Sequence, residues 1–218
     1  MTSSVILYGE QFWVSPYTFS CFVTLVEKNL SFEVRELSLA GGDQLRPDYV
    51  QRTMTGRVPA LEHEGFVVAE SSAIVEYLED TFAPPSHASV FPGDARSRAR
   101  CRQVMSWLRS DATAPLRAER PSESMFYRRS PKAPLTDKAR ASATKVLDFA
   151  ERLLSAGRPT IFDRWTVADA DLTLTLQRLA LHGDEVPARL KEYAAVQWQR
   201  PSVAAWVTHA RAPFVPYL

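Results

Sequence analysis

The residues best placed to do chemistry lie in three short stretches. The first is Ser15-Pro16, which reads as the N-cap and first position of a helix. A helix N-terminus offers unpaired N–H donors and a partial positive charge, and together they favour an anion. A hydroxyl at that cap can donate to a bound thiolate and so help lower a thiol's pKa. The same pair is equally what a helix start requires for structural reasons alone. Glu70-Ser71 repeats the device after an apolar run. A ligand carboxylate can dock on the Ser71 hydroxyl and N–H while an ammonium pairs with Glu70, although a plain cap behind a surface glutamate reads the same way. The third stretch is Val58-Pro59. A bulky residue before proline at a strand start is where a cis peptide bond can sit, with trans the ordinary state. A cis bond there exposes the backbone N–H and C=O of Val58 to an extended peptide.

Other reactive side chains have plainer explanations. Cys21 and Cys101 are the two cysteines, too few for a disulfide framework and without the Cys-x-x-Cys of a zinc site. Cys21 reads as a small core residue. Cys101 sits among arginines, which would lower its pKa if it were exposed, but a structural role suits it better. His63 and His182 read as surface residues in a turn and at a helix end. No His/Cys/Asp cluster has metal-ligand spacing, so no metal is expected.

The elements that must position these residues follow from periodicity. Val5-Ile6-Leu7-Tyr8, closed by Gly9, reads as a buried strand. From Tyr17 to Asn29 a helix is apolar all round, as expected between two layers. Phe32 to Leu37 alternates as a half-exposed strand, and Gln44 to Arg52 is a weak helix. Ala60-Leu61 and Phe66 to Ala69, joined through His63-Glu64-Gly65, read as a hairpin. Ser71 or Ser72 then caps a helix ending near Phe82. This order predicts a mixed four-stranded sheet with helices on its faces. Ala83-Pro84-Pro85-Ser86 breaks the pattern, with a linker over 84–94. The rest, 95–218, reads as all helical. A long helix from Ala95 to Ala114 carries Arg96, Arg98, Arg100, Arg102 and Arg109, mostly as a solvated face, and Pro115 should end or kink it. Pro121 to Leu135 reads as loop, Thr136 caps a helix closed by Gly157, and Thr166-Val167-Ala168-Asp169 looks like a capping box. Shorter helices follow near Pro187–Gln197 and Ser202–Ala210.

Bulk properties exclude several classes. A net charge of +1 over 218 residues gives no pull toward nucleic acid or acidic membranes. The opening MTSSVILYGE does not read as a signal peptide, and no run approaches ~20 apolar residues. A soluble cytoplasmic protein is the expectation.

Taken together, Ser15-Pro16, Gly56-x-Val58-Pro59-x-Leu61, Glu70-Ser71-x-Ala73-Ile74 and Thr166-x-Ala168-Asp169 resemble the glutathione S-transferase family. Each motif alone is weak; four in order at suitable separations are strong. The runs ESSAIVEYLEDTFAPP, WLRSD, KAPLT and LHGDEVP are similar to the bacterial YfcF-type transferases in particular. The resemblance implies a thioredoxin-like glutathione-binding domain over 1–83, an all-helical domain over 95–218, glutathione as co-substrate and a homodimer. It implies that Ser15 activates the glutathione thiol, that Val58 before a cis Pro59 pairs with the cysteinyl backbone, and that Glu70 and Ser71 hold the γ-glutamyl end. One departure stands out: the family often has Asn-Pro shortly before the hairpin, where this chain has Thr53-Met54. Arg57 could reach a glutathione carboxylate, but reads better as a solvated side chain.

The expected activity is therefore glutathione conjugation to electrophiles, reduction of organic hydroperoxides, or both. The expected electrophile pocket lies in a cleft between the domains, lined by Phe12, Trp13, Trp107, Arg109 and Asp111. Glutathione-dependent disulfide reduction is a rival, disfavoured because serine and not cysteine stands at position 15. Maleylacetoacetate-type isomerisation lacks its Ser-Ser-Cys signature in Val14-Ser15-Pro16. A non-catalytic interaction module is the rival from another class.

Overall fold

A computed structural model describes residues 4–127 and 133–216. The chain divides into two compact units, Met1–Val90 with Thr208–Leu218, and Phe91–Val207.

The first unit is built on a four-stranded sheet of order β2-β1-β3-β4, from β1 (Val5–Glu10), β2 (Phe32–Leu37), β3 (Ala60–His63) and β4 (Phe66–Ala69). β1 and β2 are parallel, joined through helix α1 (Pro16–Glu27). β3 runs antiparallel to β1, and β4 antiparallel to β3 across the Glu64-Gly65 turn. Helix α2 (Pro47–Thr53) precedes β3, and helix α3 (Ser71–Thr81) follows β4. Alternation along β1 divides the core. Ile6 and Tyr8 join Tyr49, Ala60 and Ala69 in one cluster, which leaves Val5 and Leu7 to the opposite face of the sheet. α1 is buried on every side from Thr18 to Leu25, as its all-round apolar pattern predicts, and packs on α3.

The stretch after α3 is held by a buried ion pair. Lys28 and Glu79 meet at 2.7 Å with side chains 0 and 2% exposed. Lys28 also donates to the carbonyls of Phe82 and Ala88 at 2.9 and 3.0 Å. Glu79 accepts from the Ser89 hydroxyl, and from the Val90 N–H at 3.1 Å. Both charges are thereby hydrogen-bonded, the condition for tolerating them away from water.

The second unit is all helical in the described residues: α4 (Ala95–Arg109), α5 (Ala114–Glu119), α6 (Ser122–Phe126), α7 (Asp137–Leu153), α8 (Val167–Ala180), α9 (Ala188–Trp198) and α10 (Pro201–Val207). Three sequence expectations change here. The long helix stops at Arg109, where Ser110 donates to the Trp107 carbonyl at 2.7 Å and accepts from the Ala112 N–H. Pro115 then lies in the first turn of α5, where a missing N–H costs nothing. Part of the expected 121–135 loop is α6; residues 128–132 of it lie outside the described set. The capping box is present. Asp169 accepts from the N–H groups of Ile161 and Thr166, the Thr166 hydroxyl and the Tyr193 hydroxyl, all within 3.0 Å. No helix of the described residues is long and apolar enough to cross a membrane.

Candidate functional site

Strand register brings the three chemically capable stretches to one end of the sheet. Tyr8 of β1 stands opposite Ala60 of β3, and Ala60 opposite Ala69 of β4. The chain leaving β1 toward Ser15, the chain entering β3 from Val58-Pro59, and the chain leaving β4 into Glu70-Ser71 therefore emerge at the same edge. In an open sheet with parallel strands, this is where ligands are bound.

Ser15 is the N-cap of α1, extended at φ −65°, ψ 119°, and its half-buried hydroxyl accepts the Thr18 N–H at 3.2 Å. What holds it was not visible in the sequence. The carboxylate of Glu10, 4% exposed at the end of β1, accepts the N–H groups of Phe12, Val14 and Ser15 at 2.6, 2.5 and 2.9 Å. Three loop donors are thereby satisfied by one side chain. Only the position of a glutamate directly after an apolar run hints at this.

The Val58-Pro59 peptide bond is cis. Val58 is half-buried and Pro59 buried, just ahead of β3. The loop before them hangs from α2. Thr53 receives the Gly56 N–H at 3.2 Å, and the Tyr49 hydroxyl donates to the Arg57 carbonyl at 2.8 Å. Gly56 has φ +60°, and a Cβ there would lie 3.3 Å from the Gln44 carbonyl and from Val50. Both geometry and space therefore call for glycine. Burial holds the Tyr49 phenol above its ordinary pKa, which keeps this donor protonated. The Arg57 side chain is exposed, as a solvated residue would be.

At the third stretch the helix begins one residue earlier than the sequence suggests. The N-cap position is Glu70, whose carbonyl accepts the Ile74 N–H at 2.9 Å, so Ser71 lies inside the first turn. Glu70 is exposed and held at φ +71°, ψ 117°, a region non-glycine residues rarely enter. Such outliers cluster at ligand clamps. Ser71 is 6% exposed, and its carbonyl receives the Cys21 thiol at 3.8 Å, which joins α1 to the start of α3.

The residues expected to line an electrophile pocket divide between the units. In the first, Phe12 and Trp13 are buried, at 1 and 5% exposed, and Trp13 has φ +52°. In the second, the Trp107 ring packs tilted against Phe149 with centroids 4.1 Å apart, Arg109 pairs with Asp171 at 2.7 Å, and Asp111 is exposed. The histidine readings need correction. His63 ends β3 and is 7% exposed, bonded to the Tyr77 hydroxyl at 2.8 Å. His182 reaches Ser124 at 2.7 Å, and burial lowers its pKa. Neither cysteine is in a disulfide and both are buried, and burial pushes the Cys101 thiol up to about 12 despite its arginine neighbours in sequence.

A sheet of this order, with α1 joining β1 to β2, α2 joining β2 to β3, a β3–β4 hairpin and α3 after it, followed by a unit of helices that carries a capping box at α8, defines a thioredoxin-like domain joined to an all-α domain. Residues 3–80 match the model of the glutathione S-transferase N-terminal domain, and residues 94–211 that of the C-terminal domain. The chain belongs to the glutathione S-transferase family. A glutathione transferase homolog from Burkholderia gl BGR1, solved with bound glutathione, is 38% identical, with a TM-score of 0.77 over 94% of this chain and 96% of the other. A glutathione S-transferase from Rhodospirillum rubrum F11 is 26% identical, with a TM-score of 0.74 over 97% and 96%. A probable glutathione S-transferase of Oryza sativa subsp. indica is 40% identical over 78 residues, 35% of this chain. The match spans about a third (32%) of that curated relative's length.

Proposed function

We propose that this chain is a cytoplasmic, homodimeric glutathione transferase of the bacterial YfcF type that activates the glutathione thiol with the Ser15 hydroxyl. Ser15 donates its hydroxyl hydrogen to the thiolate sulfur, and the N-terminal dipole of α1 adds a partial positive charge. Val58 pairs through its backbone with the cysteinyl residue, Pro59 shapes that approach, and Glu70 and Ser71 hold the γ-glutamyl ammonium and carboxylate. The thiolate attacks an electrophilic carbon and displaces its leaving group, or attacks the terminal oxygen of an organic hydroperoxide. The second route breaks the O–O bond to release the alcohol and leave a glutathione sulfenic acid, which a second glutathione converts to the disulfide and water. The glutathione half of the site belongs to residues 1–83. Trp107, Arg109 and Asp111 of the helical residues 95–218 serve the second substrate, whereas Phe12 and Trp13 are taken up by packing within the first unit.

The observation that carries this reading is the Tyr8–Ala60–Ala69 register, which sends Ser15, Val58-Pro59 and Glu70-Ser71 out at one sheet end. The 38% identical relative with bound glutathione supports the same ligand. Burial of Cys21 and Cys101 argues against disulfide exchange through a protein thiol.

Titration of the bound thiol by its ultraviolet absorbance, with steady-state kinetics, tests the assignment. Ser15→Ala should raise the thiol pKa and lower kcat/KM by about 10- to 100-fold, the value of one hydrogen bond to a charged group. Glutathione affinity should change little. An unchanged thiol titration would sink the role of Ser15, and failure of the intact protein to bind glutathione in a calorimeter would sink the whole reading.

A further inference from the structure

The segment after α10 returns to the loop between β1 and α1, and its contacts converge on Trp13. Arg211 donates from Nε and Nη2 to the Trp13 carbonyl at 3.3 and 3.2 Å. Its Nη1 donates to the His209 carbonyl at 2.9 Å, which ties the segment to itself. The His209 imidazole stacks on the Trp13 indole with centroids 3.6 Å apart and planes 19° from parallel. Phe214 meets Phe12 edge to face at 5.1 Å. From the other side, Glu36 of β2 accepts the Trp13 indole N–H at 2.7 Å, and Phe22 of α1 meets the ring at 5.5 Å. Trp13 is thus held at its carbonyl, its indole nitrogen and its ring. Its φ of +52° is a conformation that persists only where the surroundings impose it.

We infer that His209, Arg211 and Phe214 are positioning residues for Ser15. They strap Trp13 in its left-handed conformation, and the N–H groups of Phe12, Val14 and Ser15 then all reach the Glu10 carboxylate. Ser15 lies two residues beyond the clamped carbonyl, so the direction of its hydroxyl is set from a point nearly two hundred residues away in sequence. Small errors of aim are expensive where one hydrogen bond must meet one sulfur. The inference rests on the assignment of Ser15 to thiol activation, and its test separates the two.

In the intact protein, Arg211→Ala should speed amide exchange at Phe12, Val14 and Ser15 by about tenfold or more, as expected when a charge-assisted bond is lost. The thiol pKa of bound glutathione should rise and kcat fall by about tenfold. KM for glutathione should hold, because Val58, Glu70 and Ser71 are untouched. Arg211→Lys keeps one donor for the Trp13 carbonyl and should recover part of both effects. Should Arg211→Ala not fold, His209→Ala removes only the ring stack and should give the same changes at smaller amplitude. Unchanged exchange overturns the strap. Faster exchange with an unmoved thiol titration, in a protein where Ser15→Ala does move it, overturns the positioning role. If Ser15→Ala itself leaves the titration unmoved, the Ser15 assignment is at fault, while faster exchange in Arg211→Ala still shows the strap holding the loop.

Discussion

The Glu10 carboxylate, buried at the end of β1, accepts the backbone N–H of Ser15 at 2.9 Å. The residue proposed to touch the thiol is therefore anchored by a buried carboxylate at the end of the strand before it. Phe12 and Val14 share the same acceptor. Glu10→Ala strands three donors and should cost on the order of 3 kcal/mol or more, given about 1–3 kcal/mol per buried unsatisfied group. Glu10→Gln keeps one carbonyl oxygen and should cost less. Chemical denaturation measures both, and equal stability of the alanine variant with wild type would show the loop held by other contacts.

Lys28 and Glu79 predict a dependence on acid. Burial alone would raise the Glu79 pKa, but the Lys28 ammonium, the Ser89 hydroxyl and the Val90 N–H together hold it below the ordinary 4.5. A carboxyl depressed in the folded state contributes stability that is present above its unfolded pKa and lost as pH falls through the folded one. Stability should therefore drop as pH falls below 4.5, and Glu79→Gln should flatten that limb. At neutral pH, Lys28→Met leaves a buried carboxylate unpaired and should cost about 3–5 kcal/mol, whereas Lys28→Met with Glu79→Leu should recover much of it. Thermal melts across pH would decide the matter; an additive double variant would remove the pair from the argument.

Gly56 predicts a separation of binding from chemistry. Its φ of +60° strains any side chain, and a Cβ would sit 3.3 Å from the Gln44 carbonyl, tighter than ordinary contact. Gly56→Ala should cost about 1–3 kcal/mol of local strain and shift the loop that carries Val58. On the proposed mechanism, KM for glutathione rises while the thiol pKa stays near the wild-type value, because Ser15 is held from elsewhere. A thiol pKa that moved with KM would place Val58 and Ser15 in one coupled unit.

The order of elements was legible because it is written in local pattern. Apolar alternation over Phe32–Leu37, the all-round apolar face of α1, the Glu64-Gly65 turn and the Thr166–Asp169 capping box each depend on residues a few positions apart. The Ser15-Pro16 cap was legible for the same reason, since its side chain and the Thr18 N–H lie within one turn. Two local readings failed where a neighbour decided. Pro115 opens α5 because Ser110 had already closed the helix before it. The N-cap of α3 moved to Glu70 because that residue takes a backbone conformation its type does not announce.

What the sequence by itself determined is therefore the list of parts: a sheet unit, a helical unit, and three stretches able to hold an anionic peptide. Only the tertiary structure decided that the three stretches leave the sheet at one edge. It alone showed that Glu10 gathers the loop amides, that Lys28 and Glu79 pin the stretch to Val90, and that Arg211 reaches back to Trp13. The physical reason is the same in each case. Strand register, buried charge and a returning segment join residues far apart along the chain, and no pattern within a helical turn or a strand repeat encodes which distant partner will satisfy a buried group.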